Sequence, residues 1–301
     1  MSEDPNTGFR CGFAAIIGRP NVGKSTLLNA LIHRKVSIVS PKPQTTRHRI
    51  LGILNQPDAQ IVFVDTPGLH ANSGRAMNRH MNRTALSSLH DADVNLLVVE
   101  ALRWTDEDQH VLDQAVAGGR PIVLIVNKVD KIFPKERLLP YMDEMNRKTM
   151  FAEIVPLSGL KGSNLESLPQ VIARHLPLSP PHFPPDQVTD RSEEFQAAEI
   201  VREKLTLRLR QELPYGLTVV IEQFKEEDGR LLVNAVIWVE RTGQKAIVIG
   251  HGGEQLKEVG RAARIEMSES LGRPVHLELW VKVKENWSDN EVALRQLGYE
   301  S

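Results

Sequence analysis

Residues 18–25 constrain this chain most, because their glycine spacing and flanking runs are compatible with few local structures. They lie between the apolar run Phe13–Ile17 and the helix-forming run Thr26–Ile32, and their sequence is Gly18-Arg19-Pro20-Asn21-Val22-Gly23-Lys24-Ser25. A strand, a GxxxxGK[ST] loop and a helix in this order are typical of a phosphate-binding loop. The glycines allow backbone N–H groups to turn toward a β-phosphate at the positive end of the helix.

Two side chains of this loop have expected roles toward a nucleotide. Lys24 would contact the β- and γ-phosphates, and the Ser25 hydroxyl would ligate Mg²⁺. The alternative is a tight strand–helix turn that binds nothing, and the strand before and the helix after it argue against this. The loop by itself does not distinguish ATP from GTP.

Length and composition set broader limits. A chain of 301 residues can form about two domains with their own cores, and a net charge of −1 does not by itself indicate a nucleic-acid or membrane partner. The single cysteine, Cys11, fits a reducing compartment. The acidic, polar start at residues 1–6 is unlike a signal peptide, and no apolar run approaches the roughly 18 residues of a membrane span. We therefore expect a cytoplasmic protein without an integral membrane segment.

Short apolar runs follow the loop at regular intervals and predict strands. They are Ile50–Leu54, Ile61–Val64, Val94–Val99, Ile122–Val126 and Ile154–Leu157. Several are apolar throughout, and helix-length stretches separate the later ones, so a mostly parallel sheet with helices on both faces is expected. The first domain is therefore predicted as a three-layer α/β fold over residues 1–176.

A proline-rich stretch separates this domain from a second one. Residues 177–190 cannot continue a helix or a central strand, and they are predicted to be a stiff linker and the only connection between the domains. Beyond it, residues 191–301 predict a helix over Ser192–Gln211, a hairpin of Leu217–Phe224 and Leu231–Val239, a helix near Glu254–Leu271 and a strand at Val275–Val283. The second domain is therefore predicted as a small α+β fold.

The tetrapeptide Asp65-Thr66-Pro67-Gly68 follows the strand Ile61–Val64. Asp65 would hold Mg²⁺ through water, and the Gly68 N–H would sense a γ-phosphate. An ordinary turn is the alternative, and without the upstream loop it would be favoured.

A second tetrapeptide, Asn127-Lys128-Val129-Asp130, predicts the base. The Asp130 carboxylate can accept two hydrogen bonds from the ring N1–H and exocyclic amine of guanine, a donor pair that adenine lacks. Asn127 and the Lys128 stem would support the pocket. The turn Ser158-Gly159-Leu160, after the sixth strand, would offer a backbone N–H to the guanine O6.

Together with Gln44-Thr45-Thr46-Arg47-His48-Arg49 and the sequence Asp65 to His70, these motifs resemble the Era family of TRAFAC-class GTPases. The resemblance covers about residues 10–300. It implies that the threonine segment is switch I and that Thr46, or less favourably Thr45, ligates Mg²⁺ and the γ-phosphate. The implied metal ligands are Ser25, Thr46 and Asp65, and the implied catalytic residues are Lys24, Thr46, Asp65 and Gly68.

The other nucleotide-contacting residues implied by the resemblance lie in four groups. They are Gly18, Arg19, Pro20, Asn21, Val22, Gly23 and Thr26; Thr66, Pro67 and Leu69; Asn127, Lys128, Val129 and Asp130; and Ser158, Gly159 and Leu160. Leu69 occupies the position of a water-orienting glutamine in Ras-type proteins, and since it cannot orient water by hydrogen bonding, slow hydrolysis is expected. Asn21 resembles an asparagine that helps bind K⁺ in relatives; a turn-shaping role is equally compatible with the sequence.

The second domain contains the GxxG sequence Gly250-His251-Gly252-Gly253. Within its flanking sequence it resembles a KH domain of the bacterial type, in which GxxG joins two helices and contacts single-stranded RNA. The resemblance makes Lys245–Ile249 helical despite its β propensity. The RNA-contacting residues expected from it are Gly250, His251, Gly252, Gly253, Lys257 and Arg261. Net charge is +2 for residues 1–190 and −3 for residues 191–301, so any RNA attraction must come from local basic residues.

By this resemblance the chain binds GTP and GDP with Mg²⁺, hydrolyses GTP slowly, and binds the 3′ end region of 16S rRNA during 16S processing and 30S subunit assembly, with the nucleotide state gating RNA binding. A cytoplasmic monomer is expected, and the sequence leaves a peripheral inner-membrane fraction open. Two alternatives remain. One is a metabolite kinase, which would not need the Asn-Lys-x-Asp motif; the other is a membrane or cell-cycle switch whose second domain binds a protein.

Overall fold

The computed structural model describes residues 8–69, 74–209 and 213–299. The N-terminal residues 1–6, His70 of the Era-like sequence and Gln211 at the end of a predicted helix lie outside these ranges. The chain divides into two compact units. The first comprises Met1–Ser37, Thr46–Asn72 and Met81–Asp190; the second comprises Ile38–Thr45, Ser73–His80 and Arg191–Ser301.

The first unit is built on a six-stranded sheet of order β2-β3-β1-β4-β5-β6. Only β2 runs antiparallel to its neighbour, and the other pairs are parallel. The strands are β1 (Arg10–Ile17), β2 (Ile50–Asn55), β3 (Ala59–Asp65), β4 (Val94–Glu100), β5 (Ile122–Asn127) and β6 (Glu153–Pro156). The predicted mostly parallel sheet is confirmed.

Helices of the first unit lie between the strands in sequence. They are α1 (Lys24–Ile32), α2 (Ala76–Asp91), α3 (Asp106–Ala117), α4 (Leu138–Asn146) and α5 (Leu168–Ala173), although the first turn of α2 is grouped with the second unit. Two apolar clusters surround the sheet. Alternate residues of β4 belong to different clusters, Leu96 and Val98 to one and Leu97 and Val99 to the other. Because successive strand side chains point to opposite faces, both faces of the sheet are covered.

The proline-rich stretch is hydrogen-bonded along the first unit. Cys11 N–H donates to Pro177 O at 3.2 Å, and Ile53 N–H donates to Val188 O at 2.9 Å. The Leu51 N–H donates to the Asp190 carboxylate at 3.0 Å. These bonds fix the stretch to β1 and β2. Since residues 38–45 and 73–80 also belong to the second unit, the interpretation of residues 177–190 as the only connection is wrong.

The second unit contains a three-stranded sheet of order β7-β8-β9, with β7–β8 antiparallel and β8–β9 parallel. Its elements are α6 (Glu193–Arg208), β7 (Leu217–Glu227), β8 (Arg230–Val239), α7 (Thr242–Ile249), α8 (Glu254–Leu271), β9 (Val275–Val283) and α9 (Glu291–Gln296). The hairpin, α8 and β9 are confirmed. Lys245–Ile249 is helical, so here the family resemblance was a better guide than β propensity.

Charged side chains of α6 hold residues 38–45 within the second unit. Arg202 is buried, pairs with Glu199 at 2.6 Å and also donates to Thr45 O. Glu203 accepts from the Val39 N–H at 2.9 Å. Lys42 donates to Thr206 O and Leu209 O, carbonyls at the C-terminus of α6 that have no partner within the helix. The segment is therefore held by polar contacts to one helix.

Candidate functional site

The loop at residues 18–23 connects β1 to α1, as the sequence predicts. Gly18 has φ 148°, and a Cβ built on it would lie 2.4 Å from Val98 O. A side chain is therefore excluded by the backbone of β4, and only glycine allows the loop to begin here.

Lys24, the first residue of α1, is buried within this loop. Its Nζ donates to Gly18 O at 2.8 Å and to Arg19 O at 2.9 Å. Burial lowers the pKa of Lys24 to about 8, and the nearby Asp65 carboxylate partly opposes this shift. The ammonium is thus fixed in the loop with little water to compete for it.

Three oxygen-bearing side chains converge beside Lys24. Ser25 Oγ lies 2.9 Å from Thr46 Oγ1 and donates to Asp65 Oδ2 at 2.7 Å, and Thr46 Oγ1 lies 3.5 Å from the same carboxylate oxygen. Ser37, which the sequence interpretation did not include, also donates to Asp65 Oδ2 at 2.8 Å. The structure therefore brings together the three residues expected to ligate Mg²⁺.

The environment of Asp65 suits a hard cation. Its Oδ1 is buried and, within the described residues, has no hydrogen-bond donor. Burial raises the pKa of Asp65, and the hydrogen bond from Ser25 and the Lys24 charge act against this. A buried carboxylate oxygen next to two hydroxyls is a donor set that Mg²⁺ accepts. The Thr45 hydroxyl is already hydrogen-bonded within its own segment, to Ser40 Oγ and to Lys42 O.

The other residues expected around the phosphates have varied environments. The Thr66 hydroxyl donates to Ile16 O at 3.0 Å. Gly68 packs against Pro20, and a Cβ built on Gly68 would lie 3.0 Å from the nearest Pro20 atoms. Val22 is fully buried in one apolar cluster and Leu69 lies in the other. Thr26 is partly buried and Pro67 is buried. Asn21 is exposed and has φ 63°, a left-handed conformation that asparagine tolerates.

The base motif follows β5, and its polar groups are mutually bonded. Asn127 Nδ2 donates to Val22 O at 2.9 Å, and Asn127 Oδ1 accepts from the N–H groups of Lys128 and Gly159. Asp130 Oδ1 accepts from Ser158 Oγ at 2.6 Å. The Ser158 N–H donates to Ser163 O. Of the three N–H groups in the Ser158–Leu160 turn, the one not used in these bonds is therefore that of Leu160. Val129 of the base motif is buried.

Sequence reasoning missed two acids near the loop. Arg19 Nε donates to Asp108 Oδ2 at 3.0 Å, and Arg19 Nη2 lies 3.4 Å from Glu100 Oε2. Glu100 also pairs with Lys128 at 3.2 Å. Glu100 ends β4 as Asp65 ends β3 and Asn127 ends β5, and this shared position at strand ends is the signal that could have indicated it.

The GxxG residues connect α7 to α8 and are largely exposed. Gly250 is in contact with Gln255, whose Cβ lies 2.7 Å from a Cβ built on the glycine. Gly252 and Gly253 have φ 58° and 79°, with open space around the position of an added Cβ. A ligand can therefore approach the backbone of the second half of this loop closely.

Basic residues on α8 continue this surface. Lys257, Arg261 and Arg264 are exposed and spaced to share one helix face. Within the ranges that the structure describes, none of them forms an ion pair with an acidic side chain. In the same ranges no helix has the length and hydropathy needed to span a bilayer.

Comparison with known proteins matches both units. A family model described as a 50S ribosome-binding GTPase matches residues 13–128, and one described as a KH domain matches residues 212–288. The chain is 52% identical to GTPase Era of Marinobacter nauticus, over 99% of this chain and 98% of that protein. It is also 52% identical to GTPase Era of Stenotrophomonas maltophilia over 100% of each chain.

Two solved structures are similar over nearly the whole chain. One is an Aquifex aeolicus Era variant bound to GDP and AlF4⁻. The other is Era in complex with MgGDPNP and nucleotides 1506–1542 of 16S ribosomal RNA. Each has a TM-score of 0.94 and 42% identity, and covers 97% of this chain and 100% of its own.

Proposed function

Because this chain belongs to the Era family of GTPases and carries a KH domain, we propose that it binds the 3′ end region of 16S rRNA and acts in 16S rRNA processing and assembly of the 30S subunit. Its enzymatic activity is GTP hydrolysis. The proposal extends to regulation: the nucleotide held by the first unit gates RNA binding by the second.

The observation that carries the nucleotide part of the proposal is the side-chain arrangement around Asp65. Ser25, Thr46 and Ser37 surround one carboxylate oxygen while the other is buried without a donor. Ser25, Thr46 and Asp65 would hold Mg²⁺, with Asp65 acting through water. When bound, Mg²⁺ would neutralise charge on the β- and γ-phosphates as the terminal bond breaks.

The remaining steps belong to the chain's own groups. Lys24 exchanges its two loop carbonyl partners for phosphate oxygens and supplies a fixed positive charge. The Gly68 N–H contacts the γ-phosphate, and Thr46 closes switch I over it. Asp130 selects guanine, and the Leu160 N–H donates to the guanine O6, since the Ser158 and Gly159 N–H groups already donate to Ser163 O and Asn127 Oδ1.

Hydrolysis is slow in this proposal because the residue after Gly68 is apolar. Leu69 packs in an apolar cluster and has no group that can orient the attacking water. A cation near Asn21 would offset developing charge. We expect K⁺ to raise the hydrolysis rate relative to Na⁺ and Asn21→Ala to abolish the difference; equal rates in both salts would assign Asn21 to turn geometry alone.

The RNA function rests on the GxxG loop and α8. The open space at Gly252 and Gly253 allows a phosphodiester backbone to approach, and Lys257 and Arg261 supply attraction without acidic partners among the described residues. The net charge of −3 over residues 191–301 makes this local cluster the source of affinity.

The proposal is tested by crosslinking the full-length protein to RNA in cells and sequencing the RNA recovered from the KH domain. Purified protein is then bound to the recovered RNA with GTP or GDP present. Enrichment of the 16S 3′ end region, with nucleotide-dependent affinity, is expected. Recovery of protein partners without RNA would favour the signalling alternative and contradict the proposal.

A further inference from the structure

We propose that Glu100 is a positioning residue that couples the base-binding lysine to the phosphate loop, so that the affinity for guanine nucleotides depends on it. This inference rests on the proposed nucleotide site. Glu100 acts through Lys128 and Arg19, and its carboxylate holds these two cations at one point.

Glu100 occupies a fixed backbone position. It is the last residue of β4 and is paired in register with Asn127, the last residue of β5. The next residue, Ala101, donates its N–H to Asn127 O at 2.9 Å. The Glu100 carboxylate thus lies at the carboxyl ends of β4 and β5, where the base motif begins.

Lys128 needs support at this position. It has φ 63°, a left-handed conformation that is unfavourable for a residue with a long side chain. Its N–H is held by Asn127 Oδ1, and its Nζ is held by Glu100 at 3.2 Å and by Asn21 O at 2.8 Å. The side chain is therefore fixed at both ends, and its stem is placed before any base arrives.

Arg19 links the same carboxylate to the start of the phosphate loop. Its guanidinium is nearly buried between Glu100 and Asp108, and Asp108 is fully buried. Loss of the Asp108 charge would leave a buried guanidinium poorly paired and endanger folding. Glu100 is partly exposed, so loss of its charge leaves Arg19 paired with Asp108 and is the cleaner test.

Glu100 is negatively charged where this role requires it. Burial alone would raise its pKa, but the hydrogen bond and charge of Lys128, together with the charge of Arg19, lower the pKa below its usual value. The carboxylate therefore neutralises these two cations near the loop, while Lys24 stays directed at the phosphates.

The test measures release of a fluorescent GDP analogue from full-length wild-type protein, Glu100→Gln, Lys128→Met and the double variant. Glu100→Gln should release GDP about tenfold faster, because a tenfold change corresponds to the loss of one charge-assisted hydrogen bond. The double variant should release GDP more slowly than the product of the two single effects predicts, because part of the effect of Glu100 is exerted through Lys128. Glu100→Asp, which keeps the charge, should release GDP at a rate between those of wild type and Glu100→Gln.

Arg103→Gln is the matched control. Arg103 is a third partner of Glu100, 3.9 Å away and exposed, and its loss should leave the release rate unchanged. A wild-type release rate for Glu100→Gln, or multiplicative effects in the double variant, would overturn the inference while leaving the nucleotide site in place. Failure of the wild-type protein to bind GDP would overturn the proposed function as well.

Discussion

The phosphate loop of the first unit and the GxxG loop of the second each lead into the N-terminus of a helix, α1 and α8. The surroundings of their glycines differ. A side chain on Gly18 would collide with backbone of β4, whereas a side chain on Gly252 or Gly253 would meet no atom of the described chain. The first loop thus requires glycine for the protein's own packing. The second requires it for its φ angles and leaves the space above it open to a ligand.

The charged residues at the two helix N-termini also differ, one set being buried and the other exposed. Lys24 is buried and hydrogen-bonded to its own loop, and α1 has no acidic residue in its first turn. Helix α8 begins with Glu254, and its basic residues are exposed further along. A loop that leads to a buried, fixed lysine suits a compact polyphosphate, and an exposed loop followed by a basic helix face suits a long, hydrated polyanion.

The largest expected effect is on the free energy of unfolding, when a single methyl group is added to a glycine in each of the two loops. Gly18→Ala should lower the free energy of unfolding of the first unit by about 3 kcal/mol, through the clash with Val98 O and an unfavourable φ. Gly253→Ala should cost roughly 1 kcal/mol, because only its φ is unfavourable. Chemical denaturation followed by circular dichroism measures both. Equal destabilisation would remove the distinction between the loops.

The next effect separates RNA binding from folding. Replacing His251 and Gly252 together by aspartate adds bulk and negative charge, and should weaken binding of 16S 3′ end RNA by about 100-fold or more. Aspartate tolerates the left-handed conformation of Gly252, so folding and GTP affinity should persist. Lys257→Gln with Arg261→Gln should weaken binding less and reduce its salt dependence. Normal RNA binding by the folded double-aspartate protein would contradict the proposal that the KH domain binds RNA through its GxxG loop.

A smaller effect tests the base choice in the first unit. Asp130→Asn should weaken GDP binding roughly 10- to 100-fold and favour xanthosine diphosphate, whose C2 carbonyl accepts from the new amide. The amide oxygen can still accept the hydrogen bond from Ser158, so folding is retained. Competition between the two nucleotides for each protein measures this. Unchanged guanine preference would exclude Asp130 as the reader of the base.

The smallest effect follows from the pKa of Lys24, which burial lowers to about 8. Phosphates favour the ammonium form, so GDP affinity should be constant below this pH and about fourfold weaker at about pH 8.5. An unfolded lysine has a pKa of about 10.4, so between the two values the unfolded state binds more protons and the free energy of unfolding rises with pH. Calorimetry in two buffers should detect proton uptake on binding at about pH 8.5 and none near neutrality.

Periodicity and motif spacing predicted much of this structure because they act locally. The apolar runs identified every strand of the first sheet to within a few residues, and the residue series Gly18, Asp65, Asn127 marked the strand ends at which the proposed nucleotide site lies. Lys245–Ile249 needed the family resemblance, because its β propensity is overridden by packing. Local patterns therefore sufficed wherever the structure depends on neighbours in sequence.

Contacts between distant residues were not predictable in the same way. Asp108 and Glu100 meet Arg19 more than 80 positions away, and neither acid belongs to a motif. Residues 38–45 lie with the second unit because Lys42, Glu203 and Arg202 form hydrogen bonds that only the folded chain brings into reach. Composition and periodicity contain no information on such pairings.

The hydrogen bonds between residues 38–45 and α6 are directional contacts of charged side chains, so they fix the backbone of this segment at individual atoms. Arg202 is buried, and giving up its bond to Thr45 O would leave a buried guanidinium N–H without that acceptor. The residue after Thr45 is Thr46, so the expected Mg²⁺ ligand directly follows a backbone carbonyl that α6 holds.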